Sequence, residues 1–137
     1  MNFYSTVVSI HVVTAILGLG PLTVLAVVSS RPVAEGLPWD RVAQFLRLIG
    51  WSLAGMFVTG AVIVALTHGA LGQTGWLRAS VALFLLLGLL HGLTRRHIRR
   101  ICGTPPPLTS IKTLSALLWT MCAVIAAITY LMEAKPW

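Results

Sequence analysis

The chain has little charge and almost no acid. Only 9% of its 137 residues are charged, and just three are carboxylates: Glu35, Asp40 and Glu133. Because a water-soluble domain carries about 25% charged residues, the composition argues against one. The apolar stretches contain no Asp, and no Glu except Glu133 at an end. This absence argues against a proton-driven transporter, which needs intramembrane carboxylates, and the short loops leave no room for the inverted repeats of such transporters.

Cysteine is also scarce, and its placement indicates no site. Cys102 falls in a predicted loop and Cys122 about halfway along a predicted helix, so a disulfide between them is not expected. Their spacing does not suggest zinc. The net charge of +7 does not predict nucleic-acid binding, because the basic residues are confined to loops, where they act as topology signals.

Four long apolar runs occupy most of the chain, at 3–28, 48–67, 76–94 and 108–132. About 20 helical residues cross a hydrocarbon core of about 30 Å. We therefore predict an all-α integral membrane protein, a single transmembrane domain over 1–137, built as an antiparallel four-helix bundle. The helices are expected at about 3–28, 41–67, 76–100 and 108–132. The first run lacks a preceding basic segment and is too long for a signal peptide, so we expect a retained helix.

The basic residues predict the orientation. Eight of the ten fall in or beside the first and third loops, and only Arg78 and Lys135 lie on the other side. The eight are Arg31, Arg41, Arg47, Arg95, Arg96, Arg99, Arg100 and Lys112. By the positive-inside rule, both loops should be cytoplasmic and both termini periplasmic. The predicted location is the inner (cytoplasmic) membrane, crossed several times.

Small and polar residues predict the packing faces, because helices in lipid associate through close backbone approach. We expect Leu85, Leu86, Leu89 and Leu90 to meet lipid or another subunit, and the deep Trp51 and Trp119 to pack against a neighbouring helix. The predicted seams are His11, Thr14 and Gly18; Gly55, Thr59 and Gly60; Gly88 and His91; and Ser115, Trp119, Cys122, Ala126 and Thr129.

Two histidines lie inside the predicted spans, where ionisable groups are costly and mark candidate sites. His11 is expected roughly 10 Å below the outer boundary, and its depth differs from that of His91 by roughly 12 Å. Neutral imidazole is a standard haem ligand, yet this gap disfavours two ligands to one iron. One-sided ligation, absence of haem, and a hydrogen bond to another helix stay open. His11, His68 and Glu133 form a weaker alternative, a Zn or Cu(II) site.

Three segments support a resemblance to known proteins: SIHVVTAILGLGPL, MFVTGAVIVAL and LLLGLLHGLTRRHIRR. They resemble small four-helix membrane proteins related to the CopD copper-resistance domain, the HemJ-type protoporphyrinogen oxidase and a family of predicted integral membrane proteins. The HemJ resemblance implies haem b held by membrane histidines, with His11 and His91 in comparable places. The chain has LGLGP where that family has a Trp-Gly arrangement, so the resemblance extends to the fold more than to oxidase activity.

Two functions follow as expectations. The first is a haem b- or metal-associated redox protein that uses His11 and His91. The second is a non-catalytic subunit packed in the bilayer against other membrane subunits or further copies of itself. The residues present no catalytic constellation; if the chain is an enzyme, the resemblance implies a HemJ-like membrane oxidoreductase.

Arg95 joins the candidate binding residues because it lies one helical turn from His91 on the same stripe. It is expected to bind an anion from outside the chain: a lipid headgroup, a haem propionate or an acidic residue of a partner. Replacing Arg95 with Gln should therefore weaken retention of that anion more than replacing Arg100.

Overall fold

The computed structural model describes residues 2–30, 39–67, 74–101 and 108–134. They form four helices: α1 (Phe3–Ser29), α2 (Trp39–Leu66), α3 (Gly75–Ile101) and α4 (Leu108–Ala134). Each is long and apolar enough to cross a membrane. The prediction of an all-helical protein with four potential membrane spans is confirmed. Each helix begins and ends within two residues of its predicted position.

Side-chain contacts show that consecutive helices run in opposite directions. Between α1 and α2, the contacting pairs are Gly18 with Ser52, Thr14 with Gly55 and His11 with Thr59. The residue number falls along α1 as it rises along α2, so the two helices are antiparallel. Phe57 and Gly50 of α2 likewise meet Phe84 and His91 of α3. Thr94 and His97 of α3 contact Met121 and Ser110 of α4. The bundle therefore has two ends. We call the end near Ser29, Trp39, Ile101 and Leu108 the basic end, and the opposite one the terminal end.

The predicted seam between α1 and α2 is confirmed. A methyl group added at Gly18 would lie 2.8 Å from Ser52 Cβ, and one at Gly55 would lie 2.9 Å from Thr14 Cγ2. Only hydrogen at these two positions lets the helix backbones approach so closely, which is the usual basis of helix association in lipid. This pair of helices has the most extensive contact in the bundle, and of the three pairs of consecutive helices α2 and α3 have the least extensive contact.

The predicted seams of α3 and α4 are partly wrong. Gly88 is exposed and has no neighbouring atoms near it, although His91 is buried as expected. On α4, Ala126 and Thr129 are exposed, and the buried side is Ile111, Leu114, Leu118 and Met121. The reason is that α3 and α4 pack through interdigitated large side chains, not through small residues. Leu85, Leu86 and Leu89 are exposed as predicted, while Leu90 is partly buried.

The buried core is concentrated at the basic end. On α2 every buried residue lies between Val42 and Ser52, and the C-terminal half of that helix has none. The other core leucines and isoleucines and Met121 come from the last part of α1, from the middle and later half of α3, and from the first half and middle of α4. Among the residues of the terminal end that the structure describes, Val7 and Ser80 alone are buried. The helices therefore pack most closely at the basic end.

The two deep tryptophans, Trp51 and Trp119, differ in their contacts with the other helices. The indole Nε1 of Trp119 donates to Ser30 Oγ at 2.8 Å, and the Ser30 hydroxyl also bonds Ser115 at 2.9 Å, so Trp119 joins α4 to the end of α1 as predicted. Trp51, by contrast, is 73% exposed near the midpoint of α2. The prediction that it packs against a neighbouring helix of this chain is wrong.

Candidate functional site

His11 is held against α2 by a chain of two hydrogen bonds. Its Nδ1 lies 2.7 Å from Thr59 Oγ1, and the Thr59 hydroxyl lies 2.7 Å from the Gly55 carbonyl oxygen. A methyl group at Gly60 would be 3.5 Å from His11 Cε1, so the ring edge lies close to the α2 backbone. The seam of small residues therefore brings the imidazole into contact with α2 and sets its orientation.

The bond directions determine which ring nitrogen is free. A helical threonine hydroxyl usually donates to the carbonyl four residues back, and Thr59 has a single hydroxyl proton, which it donates to Gly55. His11 must then be the donor in its bond to Thr59, through Nδ1–H. In the neutral imidazole the lone pair is consequently on Nε2. The side chain is only partly buried, and Nε2 is the nitrogen that could bind a ligand.

His91 has a different environment. It is 7% exposed, and neither ring nitrogen has a hydrogen-bond partner among the described residues. A methyl group placed on Gly50 would lie 2.9 Å from His91 Nε2. The tip of the ring therefore abuts the α2 backbone, and Gly50 provides the room it occupies. A metal ion needs about 2 Å to its nitrogen ligand and further space beyond, so this nitrogen has no room for one.

The structure does not bring the predicted cofactor residues together. His11 meets α2 at Thr59 and His91 meets it at Gly50, levels about 14 Å apart along the helix. Arg95 lies one turn further toward the basic end, about 20 Å from the level of His11. A group bound by His11 would therefore lie well away from both His91 and Arg95.

The weaker metal alternative has no support in the described part of the chain. Across 2–30, 39–67, 74–101 and 108–134, no group of three or more His, Cys, Asp or Glu side chains could hold a metal ion. Glu133 is exposed near the end of α4. His68 lies outside the described residues, so its place beside His11 stays a prediction.

Two residues of these sites were not identified from the sequence. Thr59 was predicted as a packing residue, but not as the hydrogen-bond partner of His11. Gly50 was not singled out, although a glycine inside an apolar helix often marks close approach of another element. Neither pairing can be read from local sequence, because each joins residues about 40 or more positions apart.

Comparison with known proteins gives no relative. No protein-family model, curated protein or solved structure matches the chain. The resemblance to the CopD domain and the HemJ-type oxidase therefore depends on the quoted segments alone.

Proposed function

We propose that this is a multi-pass membrane protein that holds a redox cofactor through Nε2 of His11, with haem b as the candidate. The observation that carries the proposal is the hydrogen-bonded chain from His11 Nδ1 through the Thr59 hydroxyl to the Gly55 carbonyl. Metal-ligating histidines almost always donate their other ring N–H to a hydrogen-bond acceptor, usually a carboxylate, a backbone carbonyl or water, which sets the tautomer and the ring orientation; here the acceptor is the Thr59 hydroxyl.

The donor set fits one-sided imidazole ligation. His11 supplies the ligand nitrogen, and Thr59 orients the ring. When bound, a haem would supply a one-electron redox centre, whose potential depends on its axial ligand and surroundings. His91 and Arg95 lie toward the basic end, so neither is assigned to this site.

The test is an absorption spectrum of the detergent-purified protein, oxidised and then reduced. We expect a haem Soret band that shifts on reduction. The band should be lost in His11→Ala and kept in His91→Leu, because Gly50 leaves no room for a metal at His91 Nε2. Helix content from circular dichroism confirms that each variant is folded.

Two results would contradict the proposal. One is a purified protein that has neither a haem spectrum nor a bound metal by elemental analysis, even after expression with added haem precursor. The other is a cofactor that is lost in His91→Leu but kept in His11→Ala.

A second function, a non-catalytic subunit of a larger membrane assembly, is favoured by Trp51. Tryptophan prefers the membrane–water interface, yet Trp51 lies near the midpoint of α2 and is 73% exposed. A large side chain directed away from its own bundle at that depth suits contact with another protein. Of the three pairs of consecutive helices, α2 and α3 also have the least extensive contact.

Photo-crosslinking in native membranes tests the subunit function. A photoreactive amino acid at position 51 should yield a discrete protein adduct, identifiable by mass spectrometry. The same group in place of Leu85, a 62% exposed residue of α3, should yield lipid adducts. Lipid adducts from both positions would contradict a subunit role for this face, whereas they would leave the His11 proposal unaffected.

A further inference from the structure

A hollow of about 320 Å³ lies between α3 and α4 at the basic end. Its walls are Leu93, Arg96, His97 and Arg100 of α3 and Leu117 of α4. The candidate span of α3 ends at Arg100, so in a bilayer this hollow would lie at the boundary between hydrocarbon and headgroups. It is separate from the His11 site, which lies in the other half of the bundle.

The hollow concentrates positive charge. Arg96 and Arg100 are four residues apart on one helix face, where like charges repel. Neither forms an ion pair within the described part of the chain. The whole sequence has only three carboxylates, and one of them, Glu133, lies at the terminal end. An anion from outside the chain would relieve the repulsion.

The remaining walls restrict the kind of anion. His97 Nε2 donates to the Ser110 carbonyl at 3.0 Å, which joins α3 to the first turn of α4 and keeps the ring at the side of the hollow. Leu93 and Leu117 supply an apolar surface beside the two arginines. A soluble anion would gain nothing from these leucines, whereas a phospholipid could place glycerol and acyl chain against them.

We propose that this hollow binds the phosphate of an anionic phospholipid. Guanidinium groups bind phosphate oxygens through paired, charge-assisted hydrogen bonds, and arginine is favoured over lysine for that geometry. Arg96 and Arg100 bind the phosphate, and the two leucines contact the lipid's apolar part. Arg95 and Arg99 do not line the hollow, so this proposal ranks Arg100 above Arg95, whereas the sequence predicted the opposite order.

The chain offers a matched control on the same helix. Arg96→Gln/Arg100→Gln and Arg95→Gln/Arg99→Gln remove the same charge from the same two turns, but only the first pair empties the hollow of guanidinium groups. Each form is purified in detergent with phosphatidylglycerol or phosphatidylcholine, and bound lipid is quantified by native mass spectrometry. Thermal unfolding confirms that both variants are folded.

We expect the unmodified protein to retain phosphatidylglycerol over phosphatidylcholine. Basic side chains each contribute a comparable nonspecific attraction to anionic lipid, so both pairs of substitutions lower retention somewhat. The Arg96→Gln/Arg100→Gln variant should lose about tenfold more phosphatidylglycerol retention than the Arg95→Gln/Arg99→Gln control, because it alone loses a specific phosphate contact.

Two outcomes overturn the proposal. Equal losses from the two double variants would leave only a surface charge effect. Displacement of the bound phosphatidylglycerol by millimolar inorganic phosphate would show that the hollow takes a soluble anion, since a lipid held also by Leu93 and Leu117 should resist that competition.

Discussion

Replacing Thr59 with valine is expected to weaken cofactor binding about 10- to 100-fold, the usual cost of losing the hydrogen-bond partner of a metal-bound histidine. Valine keeps the shape of threonine but has no oxygen to accept the hydrogen bond from His11 Nδ1–H. In the unmodified protein Thr59 Oγ1 accepts that bond at an N···O distance of 2.7 Å. The imidazole would then lose the Thr59 oxygen that helps to set its tautomer and orientation, although the Met56 carbonyl stays as a second acceptor. Titrating haem into the cofactor-free protein in detergent, followed by the Soret absorbance, measures the change in affinity.

Two further variants make this result specific to the hydroxyl. Thr59→Ser keeps the hydroxyl and should bind with nearly the affinity of the unmodified protein. Thr14→Val alters the same seam, but within the described part of the chain the Thr14 hydroxyl bonds only the carbonyl of Ile10 in its own helix, so its effect should be small. Unchanged affinity in Thr59→Val, together with lost binding in His11→Ala, would show that the hydroxyl does not orient the ligand.

Replacing His91 with leucine is expected to raise the free energy of unfolding by about 1–3 kcal/mol, the range for a buried polar group left without a partner. His91 is 7% exposed and its two ring nitrogens have no hydrogen-bond partner among the described residues. Leucine of similar volume would remove the desolvation cost and keep the packing against α2. Reversible unfolding in mixed micelles with increasing denaturing detergent measures the difference.

The glycine opposite His91 provides the control. A methyl group at Gly50 would lie 2.9 Å from His91 Nε2, so Gly50→Ala should destabilise the unmodified protein by about 1–3 kcal/mol through overpacking. In a His91→Ala background the same change should cost much less. Gly92→Ala, where nothing lies within 4 Å, should be neutral or slightly stabilising because alanine favours helix.

The opposite result for His91 would also be informative. If His91→Leu lowers the free energy of unfolding, some contact of the imidazole stabilises the folded protein by more than burial of the ring destabilises it. That contact would have to come from a ligand or from the parts of the chain outside the described residues. The Gly50→Ala/His91→Ala double variant separates this case from a simple packing defect. Removing the imidazole there relieves the overpacking caused by Gly50→Ala, but it does not restore a lost contact of His91.

Much of the architecture follows from local sequence. Span length and hydropathy are properties of each segment by itself, and they placed all four helices within two residues of their observed ends. The seam of His11, Thr14 and Gly18 against Gly55, Thr59 and Gly60 was also predictable, because small residues repeated at helical spacing permit close backbone contact. On α3 and α4 this reasoning failed for Gly88, Ala126 and Thr129, since large apolar side chains form that interface instead.

The amino-acid sequence by itself therefore determined the four helices and the contact face of α1 with α2. Only the tertiary structure decided that the core lies at the basic end, that Thr59 accepts from His11, and that His91 abuts Gly50. It likewise placed Arg96 and Arg100, not Arg95, around the hollow beside Leu117. The physical reason is that the rotation of each helix about its axis, and its level against its neighbours, depend on how side chains from distant parts of the chain interdigitate.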